Sequence, residues 1–159
     1  MNEEAEEAVE RVRAALAQAG CETEVRAFPQ GTATSADAAA AIGCTLGQIA
    51  KSIVFRSGDE PVLVVASGPN RVDRQKVAAC LGREVKSAGP DWVLARTGYG
   101  VGGVPPLGHT TEVLTVIDQD LAAFDEIWAA AGSPMHVFRT SPTELFRLTR
   151  GVLADVRQD

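Results

Sequence analysis

The chain contains few of the residues that build disulfide frameworks, metal centres or membrane spans. Its 159 residues include three cysteines, none in a C-x-x-C pair, and two histidines, His109 and His136, without a companion at metal-ligand spacing. This usage is typical of a protein with neither structural disulfides nor a zinc site. No segment approaches the ~20 apolar residues of a membrane helix, and the first residues are acidic where a signal peptide would be basic. We therefore expect a cytoplasmic protein with no metal, no cofactor and no membrane partner.

Basic residues are also in the minority. Fifteen Lys and Arg stand against 21 Asp and Glu, which gives a net charge of −6. A protein that coats nucleic acid needs an excess of cations to replace counterions, so this balance argues against that class and against DNA as a partner. Residues 51–100 nevertheless carry eight basic and five acidic groups and leave room for a small basic site. The candidates for a phosphate-facing surface are Arg71, Arg74, Lys76, Arg83 and Lys86. A solvated helix face explains most of these residues equally well.

Patterns of apolar residues predict helices and strands in an interleaved order. Residues 3–19 have helical spacing and are followed by Gly20, which predicts an N-terminal helix. Apolar runs at 52–56 and 61–67 flank a turn sequence and predict a β-hairpin. Further helices are predicted at caps or first-turn prolines, namely Thr34 or Ser35, Asp73, Pro90 and Ser141.

Three shorter segments are harder to assign. Residues 46–50 favour a short helix before the first long strand, and residues 83–86 favour a small strand. In residues 121–131 propensity favours a helix, yet 127–131 could equally be a buried strand. We predict one mixed α/β domain over residues 1–159, with a central, barrel-like mixed sheet of about seven strands surrounded by helices.

A loop rich in glycine and proline is the most unusual segment. Residues 97–111 hold five of the fifteen glycines, and glycine lets a backbone approach a ligand so that its N–H groups converge on one acceptor. A long mobile connection is the alternative. The loop contains G-x-G-x-x-G by spacing, but that dinucleotide fingerprint must open a helix, which Pro105 and Pro106 prevent.

Several isolated side chains could carry chemistry or could be ordinary. Lys51 stands where a short helix meets an apolar strand, and it is either a functional cation or a lysine that reaches the surface. A phosphate-binding loop is excluded there because Ala50 replaces the required glycine. Asp118 follows a β-run and could lie at a pocket edge. Either histidine could be a general base, although an ordinary loop histidine is the simpler interpretation.

The order of these pieces resembles the YbaK/ProX family. The family consists of free-standing aminoacyl-tRNA deacylases similar to the editing domain of bacterial prolyl-tRNA synthetases. The resemblance extends from about Phe28 to Val156. It rests on five elements in order: Ala50-Lys51-Ser52-Ile53-Val54-Phe55, the run 62–67, Asp73 with Lys76 and Val77, the glycine-proline segment 98–108, and Ile117-Asp118.

The resemblance implies a set of site residues. Lys51 would lie near the terminal adenosine phosphate and the aminoacyl carbonyl, and backbone amides around Gly102 and Gly103 would bind that carbonyl as catalytic groups. The substrate-binding residues that it implies are Phe28, Ser52, Ile53, Val104, Pro105, Pro106, Asp118, Ala130, Gly132 and His136. It also favours a strand at 127–131.

This chain departs from the family pattern at two positions that bear on specificity. Pro105 stands where many members have Ser or Thr, and Ala130 stands where some have Ser. These differences leave the removed amino acid open. A pocket formed by Phe28, Ile53, Val104 and Ala130 would select by size.

The resemblance implies hydrolysis of the ester between a small wrong amino acid and a tRNA, most plausibly tRNA-Pro. The partners would be the tRNA acceptor end and an aminoacyl-tRNA synthetase. A non-catalytic module that binds tRNA ends or a synthetase is the alternative.

Overall fold

One mixed sheet of eight strands organises the computed structural model, which describes residues 3–32 and 34–159. The sheet order is β1-β7-β6-β2-β3-β5-β8, and β4 pairs with β2. The strands are β1 (Val25–Ala27), β2 (Ile49–Ser57), β3 (Glu60–Ser67), β4 (Lys86–Ser87), β5 (Leu114–Asp118), β6 (Ile127–Ala130), β7 (His136–Thr140) and β8 (Val152–Ala154). The helices are α1 (Glu3–Gln18), α2 (Ser35–Ile42), α3 (Arg74–Leu81), α4 (Pro90–Thr97) and α5 (Pro142–Thr149). The predicted class, a mixed sheet with surrounding helices, is confirmed.

The β2–β3 hairpin forms the centre of the sheet. The two strands pair antiparallel from Ala50 opposite Ser67 to Ser57 opposite Glu60, so the predicted hairpin is confirmed, and its turn has two residues. β2 also pairs parallel with β6, and β3 pairs parallel with β5. β3 has no polar alternation because both of its faces are covered, and residues 62–66 are fully buried. The first residues of β2 have strands on both sides, because they pair with β3 and with β6.

Local capping chemistry sets most helix boundaries. The Thr34 hydroxyl accepts the Asp37 N–H at 3.0 Å, and Asp73 and Ser141 cap α3 and α5 in the same way. Gly43, Gly82 and Gly98 end α2, α3 and α4 in the left-handed conformation, in each case after a predicted helix.

Two short predictions differ from the structure in their extent. The helix expected at 46–50 is a 3₁₀ turn, Leu46–Gln48, because Ile49 already pairs with Trp128 in the sheet. The small strand expected at 83–86 is shifted to Lys86–Ser87, opposite β2. In the ambiguous segment 121–131, a 3₁₀ helix ends at Ala123 and a strand begins at Ile127. The strand that the family resemblance favours is therefore confirmed.

Three backbone segments meet closely beneath α1. Gly132 has φ +100°, and a Cβ built on it would lie 2.9 Å from the Ala8 carbonyl oxygen. A Cβ on Gly103 would lie 2.8 Å from the Ser133 backbone, and the Gly132 N–H donates to the Gly103 C=O at 2.9 Å. Only glycine fits at these two positions, so α1, the turn after β6 and the glycine-proline loop are packed backbone to backbone.

Gly132→Ala should lower the free energy of unfolding by about 2–4 kcal/mol, because it combines left-handed strain with overlap against the backbone of α1. Urea titration measures the loss. Gly20→Ala is the matched control, since Gly20 has φ +74° but no neighbour within 4 Å of the added Cβ. It should cost only the conformational part, about 1–2 kcal/mol. Equal losses in the two variants would contradict the close-packing argument.

Candidate active site

A cavity of about 80 Å³ opens between α2, the start of β2 and the glycine-proline loop. A single water occupies about 10–15 Å³ on this measure, so the volume suits a small side chain. Its lining residues are Thr32, Thr34, Ser35, Ala38, Ile49, Ala50, Lys51, Ser52, Gly102, Val104, Trp128, Ala129, Ala130 and Val137. Five residues proposed from the sequence, namely Lys51, Ser52, Gly102, Val104 and Ala130, therefore lie around one cavity.

Two apolar residues proposed for the pocket lie elsewhere. Phe28 packs behind the cavity wall, against a cluster that includes Ile49, Trp128 and Val137, and so supports the lining without forming it. Ile53 packs in a different cluster with Val64 and other residues around α3. Of the four apolar residues expected at the pocket, Val104 and Ala130 therefore line the cavity, and Phe28 and Ile53 do not.

His136 and Gly132 belong to the turn that supports the cavity and not to its lining. Val137 lines the cavity, whereas His136, its neighbour along β7, is buried and bonds through Nδ1 to the Ser133 hydroxyl at 2.6 Å. Burial lowers the pKa of His136 below its ordinary value, and the positive charge of Arg13 lowers it further. These contacts give His136 a role in holding the turn between β6 and β7.

Lys51 has a fixed position at the cavity. Its Nζ donates to the Gly68 C=O at 3.0 Å, which uses one of the three N–H groups of the ammonium and leaves two for another acceptor. Burial lowers the pKa of Lys51 below its ordinary value. The negative charge of Asp118 opposes this shift, and the positive charge of Arg71 adds to it. The cavity thus contains a partly desolvated cation with donors to spare.

The Asp118 carboxylate organises the backbone that holds Lys51. It is buried and accepts hydrogen bonds from the Ser67 N–H at 3.0 Å, the Asn70 Nδ2 at 2.8 Å and the Asp120 N–H at 2.9 Å. The first two bonds fix the turn from Ser67 to Asn70, which contains the Gly68 carbonyl. Asp118 does not line the cavity. It acts on Lys51 through this turn and through its charge.

The glycine-proline loop is held by the buried ring of Tyr99 and the partly buried ring of His109. Tyr99 is buried and donates its hydroxyl to the Gly108 C=O at 2.9 Å. His109 Nε2 lies 2.7 Å from the Pro105 C=O, and since a carbonyl only accepts, Nε2 carries the proton. Burial lowers the pKa of His109 and favours this neutral form. Pro105 and Pro106 are buried and anchor the loop instead of lining the cavity.

The loop amides differ in their availability. The Gly103 N–H donates to the Gly100 C=O at 3.0 Å, so it does not face a substrate carbonyl as the family resemblance implied. Gly102 adopts φ +94° and lines the cavity together with Val104. Within residues 3–32 and 34–159, neither the Gly102 N–H nor the Val104 N–H has a protein acceptor. These two amides lie on either side of the Gly103 amide, which is already bonded to Gly100.

Sequence reasoning missed the half of the cavity that α2 and β6 form. The sequence predicted Thr34 as a possible helix cap. Its position at the cavity depends on how α2 packs on the sheet, which the sequence pattern does not show. Thr32 is tied to the turn after β6 by two bonds to the Pro134 C=O, from its N–H at 2.6 Å and its hydroxyl at 2.7 Å. Trp128 belongs to the segment 127–131, which the residue pattern left open between helix and strand. No local pattern could have assigned these residues to one site.

The described part of the chain contains no group of three or more His, Cys, Asp or Glu side chains placed to hold a metal ion. Among the described helices, none has the length and apolar character needed to cross a membrane.

Comparison with known proteins identifies the family. The sequence profile of the aminoacyl-tRNA editing domain matches residues 29–148, which include every residue that lines the cavity. The chain belongs to the aminoacyl-tRNA editing domain family. The resemblance to YbaK-type proteins inferred from the sequence is thereby confirmed.

Several relatives share both sequence and fold with this member of the family. A protein of Bacillus subtilis (strain 168) named "Uncharacterized protein YwhH" is 35% identical over 135 residues, 84% of this chain and 86% of its own length. A crystal structure described as "a putative trans-editing enzyme for prolyl tRNA synthetase" is 38% identical and has a TM-score of 0.91. The match covers 100% of this chain and 99% of that one. The structure of "hypothetical protein APE2540" is 28% identical with a TM-score of 0.86, over 93% of this chain and 99% of its own.

Substitutions at the two charges near Lys51 should shift its pKa in opposite directions. Asp118→Asn should lower the Lys51 pKa further because it removes a negative charge, and Arg71→Gln should raise it because it removes a positive one. Side-chain NMR titration of Lys51 measures both shifts. Glu84→Gln, at an exposed acid beside Lys86, is the control and should leave the pKa unchanged. Shifts of the same sign would refute the assigned electrostatics.

Proposed function

We propose that the protein is a trans-editing aminoacyl-tRNA deacylase that hydrolyses the ester of a mischarged tRNA. The observation that carries the proposal is one small cavity bordered by Lys51, with two N–H groups to spare, and by the unpaired amides of Gly102 and Val104, in a member of the editing-domain family. The 3′ acceptor end of a tRNA is the partner, and the cytoplasm, where tRNAs are charged, is the compartment. The similarity to a structure described as a trans-editing enzyme for prolyl tRNA synthetase favours tRNA-Pro.

Electrostatic stabilisation of the ester carbonyl is the central catalytic contribution. A water attacks the carbonyl carbon, the ester C–O bond breaks through a tetrahedral intermediate, and the ribose oxygen leaves with a proton. The amides of Gly102 and Val104 and the Lys51 ammonium stabilise the negative charge that develops on the carbonyl oxygen. A preorganised donor of this kind contributes about 3–4 kcal/mol in known cases. The vicinal ribose hydroxyl assists the attacking water, and no metal ion takes part.

Lys51→Ala should lower kcat for deacylation by about 10²–10³-fold, as the loss of one such donor does elsewhere. The assay follows release of Ala, Ser, Cys, Thr and 2-aminobutyrate from purified mischarged tRNA-Pro, with prolyl-tRNA as the reference that should be spared. Lys86→Ala is the matched control because Lys86 is exposed and lies outside the cavity. Unchanged turnover in Lys51→Ala would remove Lys51 from the mechanism. A wild-type protein that protects these esters from hydrolysis would instead be a binding module.

Ala130→Val should narrow the range of accepted amino acids. Ala130 lines the cavity, and two added methyl groups reduce its volume. Discrimination by one methylene in an apolar pocket amounts to about 1–3 kcal/mol. We therefore expect kcat/KM to fall about tenfold or more for 2-aminobutyrate and Thr relative to Ala. Ala95→Val, on an exposed face of α4, is the control and should leave the substrate ranking unchanged. A uniform loss for all amino acids would exclude a size-selecting role.

A further inference from the structure

The cavity lies where the pairing between β2 and β6 stops. The two strands run parallel, and the last pair of their short ladder is Ala50 opposite Ala129. Both strands extend beyond this pair. Lys51 and Ser52 of β2 and Ala130 of β6 then line the cavity. The cavity is therefore a gap between the edges of two strands that have just separated.

Bonding in the next ladder shows which backbone groups of β6 face this gap. The N–H and C=O of successive strand residues point to opposite neighbouring strands. The Ala131 N–H donates to the His136 C=O of β7 at 2.9 Å, so Ala131 faces β7. Ala130, one position earlier, therefore directs its own N–H and C=O toward β2.

The same alternation fixes the direction of Ser52. The Ser67 N–H donates to the Asp118 carboxylate at the end of β5, so Ser67 faces β5 and not β2. Ala50 is opposite Ser67 and therefore faces away from β3 and toward β6. Ser52 is two residues further along β2, so its N–H and C=O also point to the side of β6.

The next step of the β2–β6 ladder is thus left open. In this parallel register it would join the Ser52 N–H to the Ala130 C=O, but the pairing ends before these residues. Within residues 3–32 and 34–159, no group outside the strands is bonded to either one. We call this donor and acceptor, which face each other at the cavity, the open rung.

A neutral amine matches the open rung. It donates through an N–H and accepts through its lone pair, whereas an ammonium only donates and a carboxylate only accepts. The cavity lining contains no Asp or Glu to pair with an ammonium. The Lys51 ammonium at the same cavity disfavours a second cation. An α-amino group has a pKa of about 7.7–8.0, so its neutral form is available near neutral pH.

We propose that the open rung binds the neutral α-amino group of the aminoacyl ester, and that the substrates are therefore esters of amino acids with a free α-amino group. The proposal rests on the proposed function for the identity of the ester. The amine donates to the Ala130 C=O and accepts the Ser52 N–H. An N-acylated ester, such as that of a peptidyl-tRNA, is excluded because its amide nitrogen has no free lone pair and its acyl group does not fit a cavity of about 80 Å³.

Amide NMR tests the open rung directly. In the free protein the Ser52 N–H should exchange with solvent faster than those of Lys51 and Ile53, which face β3 in the same strand. The ligand is 3′-deoxy-3′-(alanylamino)adenosine, in which an amide replaces the ester, and the control is its propionylamino analogue, which lacks only the α-amino group. Both should shift the amides of Gly102 and Val104, but only the first should shift and protect Ser52. Equal effects of the two ligands on Ser52 would overturn the assignment.

Hydrolysis of four esters of one tRNA-Pro measures the selectivity. The esters are alanyl, lactyl, propionyl and N-acetylalanyl, and kcat/KM is divided by the uncatalysed hydrolysis rate of each ester to remove differences in intrinsic reactivity. Propionyl and N-acetylalanyl should fall about tenfold or more below alanyl, as when buried polar groups lose their partners. Lactyl should stay closer to alanyl, because a hydroxyl also donates and accepts. Equal normalised values for alanyl and propionyl would contradict the proposal.

The two experiments separate this proposal from the proposed function. If the protein hydrolyses none of the four esters, but the Ser52 amide responds to the alanylamino ligand alone, the proposed function fails and the open rung remains an amine-binding site. If the esters are hydrolysed at equal normalised rates and the Ser52 amide does not respond, the proposed function stands and the role of the open rung is wrong.

Discussion

The buried carboxylate of Asp118 is the constraint on which the site depends. It lies at the end of β5 and accepts N–H groups from the end of β3 and from the turn that follows, so one side chain joins two neighbouring strands and a loop. A buried carboxylate is stable only when its oxygens are satisfied in this way. The bonds from Ser67 and Asn70 place the Gly68 carbonyl against Lys51. The position of Lys51 thus depends on a group that does not line the cavity, and the negative charge of that group opposes the lowering of the Lys51 pKa that burial causes.

The second requirement is close approach between backbones. The glycine-proline loop is placed by Gly103 against Ser133 and by Gly132 against Ala8, and a side chain at either glycine would separate the layers. Tyr99 and His109 then fix the far end of the loop through carbonyl groups. The loop with five glycines is therefore fixed in two ways. Gly103 lets its backbone pack against the backbone at Ser133, and the bonds from Tyr99 and His109 hold its carbonyl groups.

The sequence predicted those features that local chemistry determines. Caps, first-turn prolines and terminal glycines located α2, α3, α4 and α5, and the turn sequence 57–60 located the β2–β3 hairpin. The extent of β2 and the strand at Ile127 could not be derived from propensity, because Ile49 and Trp128 are strand residues by virtue of pairing with each other across 79 positions. Resemblance to a family supplied the strand where local preference favoured a helix.

The candidate site was predicted in part for the same reason. Lys51 and the glycine-proline loop are local motifs and were found, whereas Thr32, Ala38 and Trp128 reach the cavity only through the packing of α2 and β6. One error of placement concerns Ile53, which is two residues beyond Lys51 along β2 and packs with residues around α3 and not at the cavity, a difference that depends on where α3 covers the strand. The bond from the Gly103 N–H to Gly100 is likewise a matter of turn geometry that spacing does not reveal.

The bonds between residues 71–73 and residues 156–158 have a consequence for folding. The Asp73 N–H donates to the Val156 C=O, and the Arg71 C=O accepts from Gln158, so the loop beside Lys51 is completed by residues more than 80 positions further along the chain. Strands β1 and β2 likewise wait for β7 and β6, which follow more than 70 residues later. Such non-local pairing slows folding. We therefore expect the site to form together with the sheet and not before it, because its parts are brought together by pairing between distant segments.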